Sequence, residues 1–255
     1  MHKRIFTFII SFSLAFVAIQ AQQNLPYKNP SLPVEQRVAD LLQRMTIEEK
    51  FWQLFMIPGD LDGVPADQYK HGIFGFQVSA GSKDGEAAQQ LLKYNASENA
   101  SALAKKINSI QKYFVEQSRL GIPIIAFDEA LHGLVRDGAT AFPQAIALAA
   151  TFDTSLMCEV ANAIAIETKL RGIRQILTPV VNIASDVRWG RTEETYGEDP
   201  FLSSEMGVAF VEAFEEKGII TTPKHFLANV GDGGRDSYPV HFNERLLEEI
   251  YLPPF

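Results

Sequence analysis

Apolar positions along this chain follow two rhythms. Short, mostly apolar runs read as buried strands: Trp52–Ile57, Ile73–Val78, Pro123–Phe127, Gln175–Ile183 and Ile219–Thr222. Longer stretches between them repeat every three to four residues. In 98–119, Leu103, Ile107, Ile110 and Phe114 fall on one face of a helix. Asp153 is placed to cap a second helix that runs to Arg171, with Gly172 as its stop, and a third runs from about Ser203 to Lys217-Gly218. Strands alternating with helices of this length predict βαβ units and a parallel sheet, either doubly wound or barrel-like. The sequence shows no internal repeat, low-complexity tract or clear linker.

Polar residues after the strands favour the barrel. Pro123–Phe127 runs directly into Asp128-Glu129-Ala130-Leu131-His132-Gly133, and the run ending at Ile183 leads into a long polar loop, 185–202. The run near Ile219 ends in Pro223-Lys224-His225-Phe226. Charged groups thus follow three successive strands, at the face where barrel enzymes build their sites. No Gly-x-Gly-x-x-Gly follows a strand, which weakens a dinucleotide-binding alternative.

Composition narrows the field further. With 255 residues, 46% hydrophobic and 21% charged, the chain is of globular type and long enough to bury a core without disulfides or a structural metal. Its net charge of −8 argues against a nucleic-acid partner. Lys3 and Arg4 precede an apolar run from Ile5 to Ile19, and Ala21 follows, in the layout of a secretory signal. The run is too short to span a bilayer. The expectation is cleavage after Ala21, export to periplasm or medium, and no stable membrane span in the mature piece, 22–255. Cys158, the single cysteine, then has no partner within the chain.

Asp128 is either a helix cap or a carboxylate aimed into a barrel mouth, where it would accept bonds from two sugar hydroxyls. Arg191 is read as the substrate-facing arginine and Arg188 as scaffold, although four nearby acids (Glu193, Glu194, Glu198, Asp199) could tie down either one. Lys224 and His225 can reach one ligand only where the strand ends and the backbone turns. His132 reads more readily as structural. The five histidines include no i, i+4 pair, so no metal site is expected, and no cofactor either. Asn95 and Asn99 begin glycosylation triplets, a short pattern that recurs by chance.

Three motifs in this order, Asp128-Glu129-Ala130-Leu131-His132-Gly133, then Trp189-Gly190-Arg191 through Asp199-Pro200, then Lys224-His225-Phe226, resemble glycoside hydrolase family 3. The resemblance runs from about Leu32 to the last residue and is nearest to β-glucosidase and β-xylosidase members. It implies a TIM-like (β/α) barrel, incomplete at about five strands of eight, as the N-terminal part of a longer multidomain enzyme. It also implies that Asp128, Arg191, Lys224 and His225 hold the sugar of a β-linked oligosaccharide or glycoside. The family cleaves exo-wise with retention, through a carboxylate nucleophile and a general acid/base. The nucleophile is expected beyond Phe255, in a C-terminal part of the same polypeptide, so the piece alone is expected to be inactive. Where the β-N-acetylglucosaminidase branch carries Asp-Ser-His, this chain reads Asp236-Ser237-Tyr238, and tyrosine is poorly poised for proton transfer near neutral pH. That branch is therefore disfavoured. A non-catalytic sugar-binding remnant is the alternative from a different class.

Overall fold

The structure is a computed structural model and describes residues 25–65, 67–78, 99–231 and 239–255. The signal-like segment 1–21, Asn95, and the Asp236-Ser237-Tyr238 element lie outside the described residues.

The chain divides into two compact units at Leu54. The first contains helices α1 (Val34–Arg44) and α2 (Ile47–Trp52). Asp40 of α1 accepts the backbone N–H of Tyr27 at 3.2 Å, and the Arg37 Nε–H donates to the Tyr27 carbonyl at 3.0 Å. Thr46 opens α2 with a reciprocal cap. Its hydroxyl accepts the Glu49 N–H at 3.2 Å, and the Glu49 carboxylate accepts the Thr46 N–H at 2.9 Å. Such a cap contributes about 1 kcal/mol. It carries helix through Trp52 and corrects the strand expected over 52–57, which starts only at Met56.

The second unit is α/β. Its strands are β1 (Met56–Pro58), β2 (Gly75–Gln77), β3 (Ile125–Asp128) and β4 (Gln175–Ile176). They pair in parallel, in chain order, as one sheet. Residues 220–224 extend it past β4 through isolated parallel bridges, Gln175↔Ile220 and Val180↔Lys224. This is the order in which consecutive βα units lay down a barrel wall. The fifth expected strand thus exists only as bridges, and the fourth stops seven residues short of Ile183.

Helices α3 (Ala100–Gln117), α4 (Ala145–Ala149), α5 (Thr154–Leu170) and α6 (Pro200–Glu215) connect the strands. A short α7 (Glu244–Leu246) widens into a π turn over Leu247–Tyr251. The apolar face read from sequence on α3 is the buried one, since Leu103, Ile107, Ile110 and Phe114 are all inside. Burying each such side chain contributes about 1.5–3 kcal/mol. Phe114 meets Tyr69 and Phe76 in a ring cluster, so the helix grips the back of β2. Asp153 caps α5 by accepting the Leu156 N–H at 3.0 Å, and Gly172 follows with a φ of 87°. Asn99 caps α3 by accepting the Ala102 N–H at 2.9 Å. Asp199, rather than the expected Ser203 region, starts α6, with Pro200 in the first turn.

Candidate functional site

After β1, the sheet delivers one polar side chain at or beyond the carboxyl end of each segment. Gln77 closes β2, Asp128 closes β3, Asn182 follows β4, and Lys224 closes the bridged segment. These groups and the loops beside them form two contact clusters, one around Asp128, Glu129 and Lys224 and one around Arg191 and His225, joined by the Lys224–His225 peptide.

Asp128 lies deepest and is fully buried. Its Oδ1 accepts the Gln77 side-chain amide at 3.0 Å and the Glu129 backbone N–H at 2.9 Å, and its Oδ2 pairs with the Arg136 guanidinium. Arg136 is itself almost wholly buried and also donates to the Val78 carbonyl at 2.6 Å. Burial pushes the Asp128 carboxyl upward, against the pull of Arg136, Gln77 and the Glu129 N–H. The expected sugar-binding carboxylate thus lies at the end of β3, but beneath the rim, with its oxygens engaged by protein donors. With no exposed surface and three donors already on it, the carboxylate anchors the rim from below.

The carboxylate that does face the rim is its neighbour. Glu129 keeps 23% of its side chain exposed and takes the Lys224 ammonium on both oxygens, at 2.9 and 3.0 Å. Burial raises its carboxyl above the ordinary range, and Lys224 pulls the other way. The negative charges of Asp128 and Glu194 add smaller upward pushes, which brings the Arg191 cluster electrostatically within reach of Glu129.

Arg191 is buried at 7% exposure. Its guanidinium forks onto both oxygens of Glu194, with Nε to Oε1 at 2.6 Å, and Nη1 lies 3.1 Å from His225 Nε2. The guanidinium carbon also sits 5.7 Å from the centre of the buried Trp189 ring, within cation–π range. On the other side of His225, Asn182 Oδ1 accepts the His225 backbone N–H at 2.8 Å and lies 2.9 Å from Nδ1. The peptide between Lys224 and His225 is cis. Arg188 pairs with Asp186 at the surface, and this pair holds the Asp186 carboxyl down at about 2.

His132 is structural. Its Nδ1 lies 2.8 Å from the Phe142 carbonyl, while its own carbonyl accepts the Phe142 N–H at 2.7 Å. Gly133 beside it has a φ of 130°, and a Cβ there would meet the Thr140 carbonyl oxygen at 2.3 Å. Gly133→Ala is therefore expected to lower stability by about 1–3 kcal/mol, measured as a shift of the urea midpoint at unchanged slope. A midpoint at the wild-type value would mean the 132–142 loop adapts without strain.

Sequence reading missed Gln77, Arg136, Asn182 and the rim role of Glu129. Gln77 and Asn182 carried a signal, since each is an amide side chain flanked by apolar neighbours and needs a partner when buried. Arg136 carried none. Among the described residues no group of His, Cys, Asp or Glu is arranged to hold a metal, and no helix is long and apolar enough to cross a membrane.

Parallel strands in sequential order, with paired charges gathered at their carboxyl ends, define an α/β fold of the barrel type. The chain belongs to glycosyl hydrolase family 3: the model of that family's N-terminal domain matches residues 46–255. A β-xylosidase of Formosa agariphila is 39% identical over 173 residues, covering 60% of this chain and 23% of its own length. Beta-glucosidase C of Emericella nidulans is 33% identical, covering 78% of this chain and 34% of its own length. Among solved structures, a β-glucosidase from Erythrobacter marinus superposes with a TM-score of 0.76 at 32% identity, over 91% of this chain and 31% of its own. The chain thus spans about a third or less of the length of these relatives.

Proposed function

We propose that this chain forms the sugar-gripping part of an exported, retaining, exo-acting β-glycosidase that removes terminal β-linked glucosyl or xylosyl units. The observation that carries the reading is the charge arrangement at the rim. Glu129–Lys224 and Glu194–Arg191 each match one anion with one cation in direct contact, and Asp128–Arg136 does the same beneath them. Such a surface has many directed donors and acceptors but no net charge. It suits a neutral, hydroxyl-rich ligand better than an anion or a cation. A hydroxyl set between Glu129 and Lys224 would give its proton to the carboxylate and accept one from the ammonium, and both bonds would be charge-assisted.

Relatives that act on β-glucosides and β-xylosides support this substrate class. In the reaction, Glu129, Lys224, His225 and Arg191 hold the sugar ring, while Asp128 and Arg136 hold Glu129. The two carboxylates of retaining cleavage come from polypeptide beyond Phe255, so this chain alone binds but does not cleave. The greater length of the relatives supports that division. Export rests on the composition of residues 1–21, and N-terminal sequencing of the secreted protein tests it.

The functional test is hydrolysis of aryl β-D-glucosides, β-D-xylosides and N-acetyl-β-D-glucosaminides by the longest polypeptide that carries this chain. The expected result is cleavage of the first two, with little of the third. Strong preference for the N-acetylated sugar, or no cleavage of any, overturns the reading; sugar binding without cleavage by that polypeptide would favour a binding protein.

A further inference from the structure

Asn182 has no place in the family motifs read from sequence, yet it is 98% buried and makes three hydrogen bonds to a single residue. Its orientation follows from the bond to the His225 backbone N–H. A backbone N–H only donates, so the atom 2.8 Å from it is the amide oxygen. The same oxygen lies 2.9 Å from His225 Nδ1, and an oxygen acceptor there requires Nδ1 to carry a proton. The amide nitrogen turns back to donate to the His225 carbonyl at 3.4 Å.

The other ring nitrogen faces a group that can only donate. Arginine has no acceptor, so Nη1–H of Arg191 donates to His225 Nε2 at 3.1 Å, and Nε2 must present its lone pair. Both constraints select one species, the neutral imidazole with its proton on Nδ1. The contacts then read in one direction: Arg191 donates to Glu194 and to His225, and His225 donates to Asn182.

We propose that Asn182 is a positioning residue that locks the tautomer and ring plane of His225, and through His225 the Arg191 guanidinium. The Arg191 contact by itself does not fix the rotation of the ring. The Asn182 oxygen removes that freedom because it binds the backbone and the ring of the same residue at once. His225 accordingly acts at Nε2 only as an acceptor, for Arg191 and for a sugar hydroxyl, and offers no Nε2 proton to a ligand. The consequence for sugar affinity rests on the reading of this rim as a sugar site, whereas the tautomer does not.

Nitrogen-detected NMR of the chain labelled with 15N-histidine at neutral pH tests this. The chain has five histidines, and His225→Gln assigns the signal. The wild type is expected to show His225 with a protonated Nδ1 and the far-downfield Nε2 of an unprotonated nitrogen. Asn182→Ala should merge these into averaged positions and lower D-glucose or D-xylose affinity about tenfold by calorimetry. Asn182→Asp, which keeps an oxygen acceptor, should leave Nδ1 protonated. A protonated, unaveraged Nε2 in the wild type, or His225 signals unchanged in Asn182→Ala, overturns the inference even where sugar binds normally. The expected tautomer together with no binding of either sugar by the wild type would sink the sugar reading and leave this inference standing.

Discussion

Asp128→Ala is expected to destabilise the second unit by about 3–5 kcal/mol, the usual cost of removing one partner from a buried ion pair. The variant would take the Asp128 carboxylate away from the Arg136 side chain, which is 6% exposed. It would also strand the Gln77 amide and the Glu129 N–H, each of which points at the missing carboxylate. These losses share one partner, so they do not add independently. Double replacement of Asp128 and Arg136 by apolar residues should cost less than Asp128→Ala alone. Chemical denaturation measures both. A single variant within 1 kcal/mol of wild type (about the median worth of an exposed pair) would mean the pair is solvated in solution. Any loss of sugar affinity in Asp128→Ala must therefore be read beside its stability.

Glu129→Gln separates recognition from folding. Glutamine keeps the length and one oxygen acceptor but removes the charge, and hydrogen bonds to charged groups contribute about 1.5–3 kcal/mol. Sugar affinity, or kcat/KM in a longer active polypeptide, should fall about 10- to 150-fold. The change also has a pH signature. Burial raises the Glu129 carboxyl, so the folded state holds this proton more tightly than the unfolded chain does. Its contribution to stability is present below the ordinary glutamate range and is lost as pH rises through the raised value. The wild type should thus lose stability across that window, and Glu129→Gln should lose less. Sugar binding, which needs the ionised form, should rise with pH over the same interval. Equal affinity in wild type and Glu129→Gln would remove Glu129 from the site.

Much of this was legible beforehand, because periodicity reports which side of an element is wet. The α3 face, the Asp153 cap and the alternation of strands with helices follow from apolar spacing and local hydrogen bonding, both short-range in sequence. The boundaries that failed were decided by competing local bonds, as where the Thr46 cap holds helix over a run that also suits a strand. The choice between Asp128 and Glu129 was not legible, since adjacent carboxylates have the same spacing pattern. The difference in their burial follows from Arg136, eight residues away, and Gln77, on another strand, which hold Asp128 inside. Tertiary partners of that kind leave no periodic trace.

The self-compensation of the rim's ion pairs bears on how a ligand arrives. Opposite charges in contact produce a field that decays far faster than that of a lone ion, so little of it survives beyond one Debye length, about 8 Å at physiological ionic strength. Capture at this mouth gains almost nothing from long-range electrostatic steering. Association should proceed by plain diffusion, at a rate that added salt scarcely alters, and discrimination begins only once a ring is already inside.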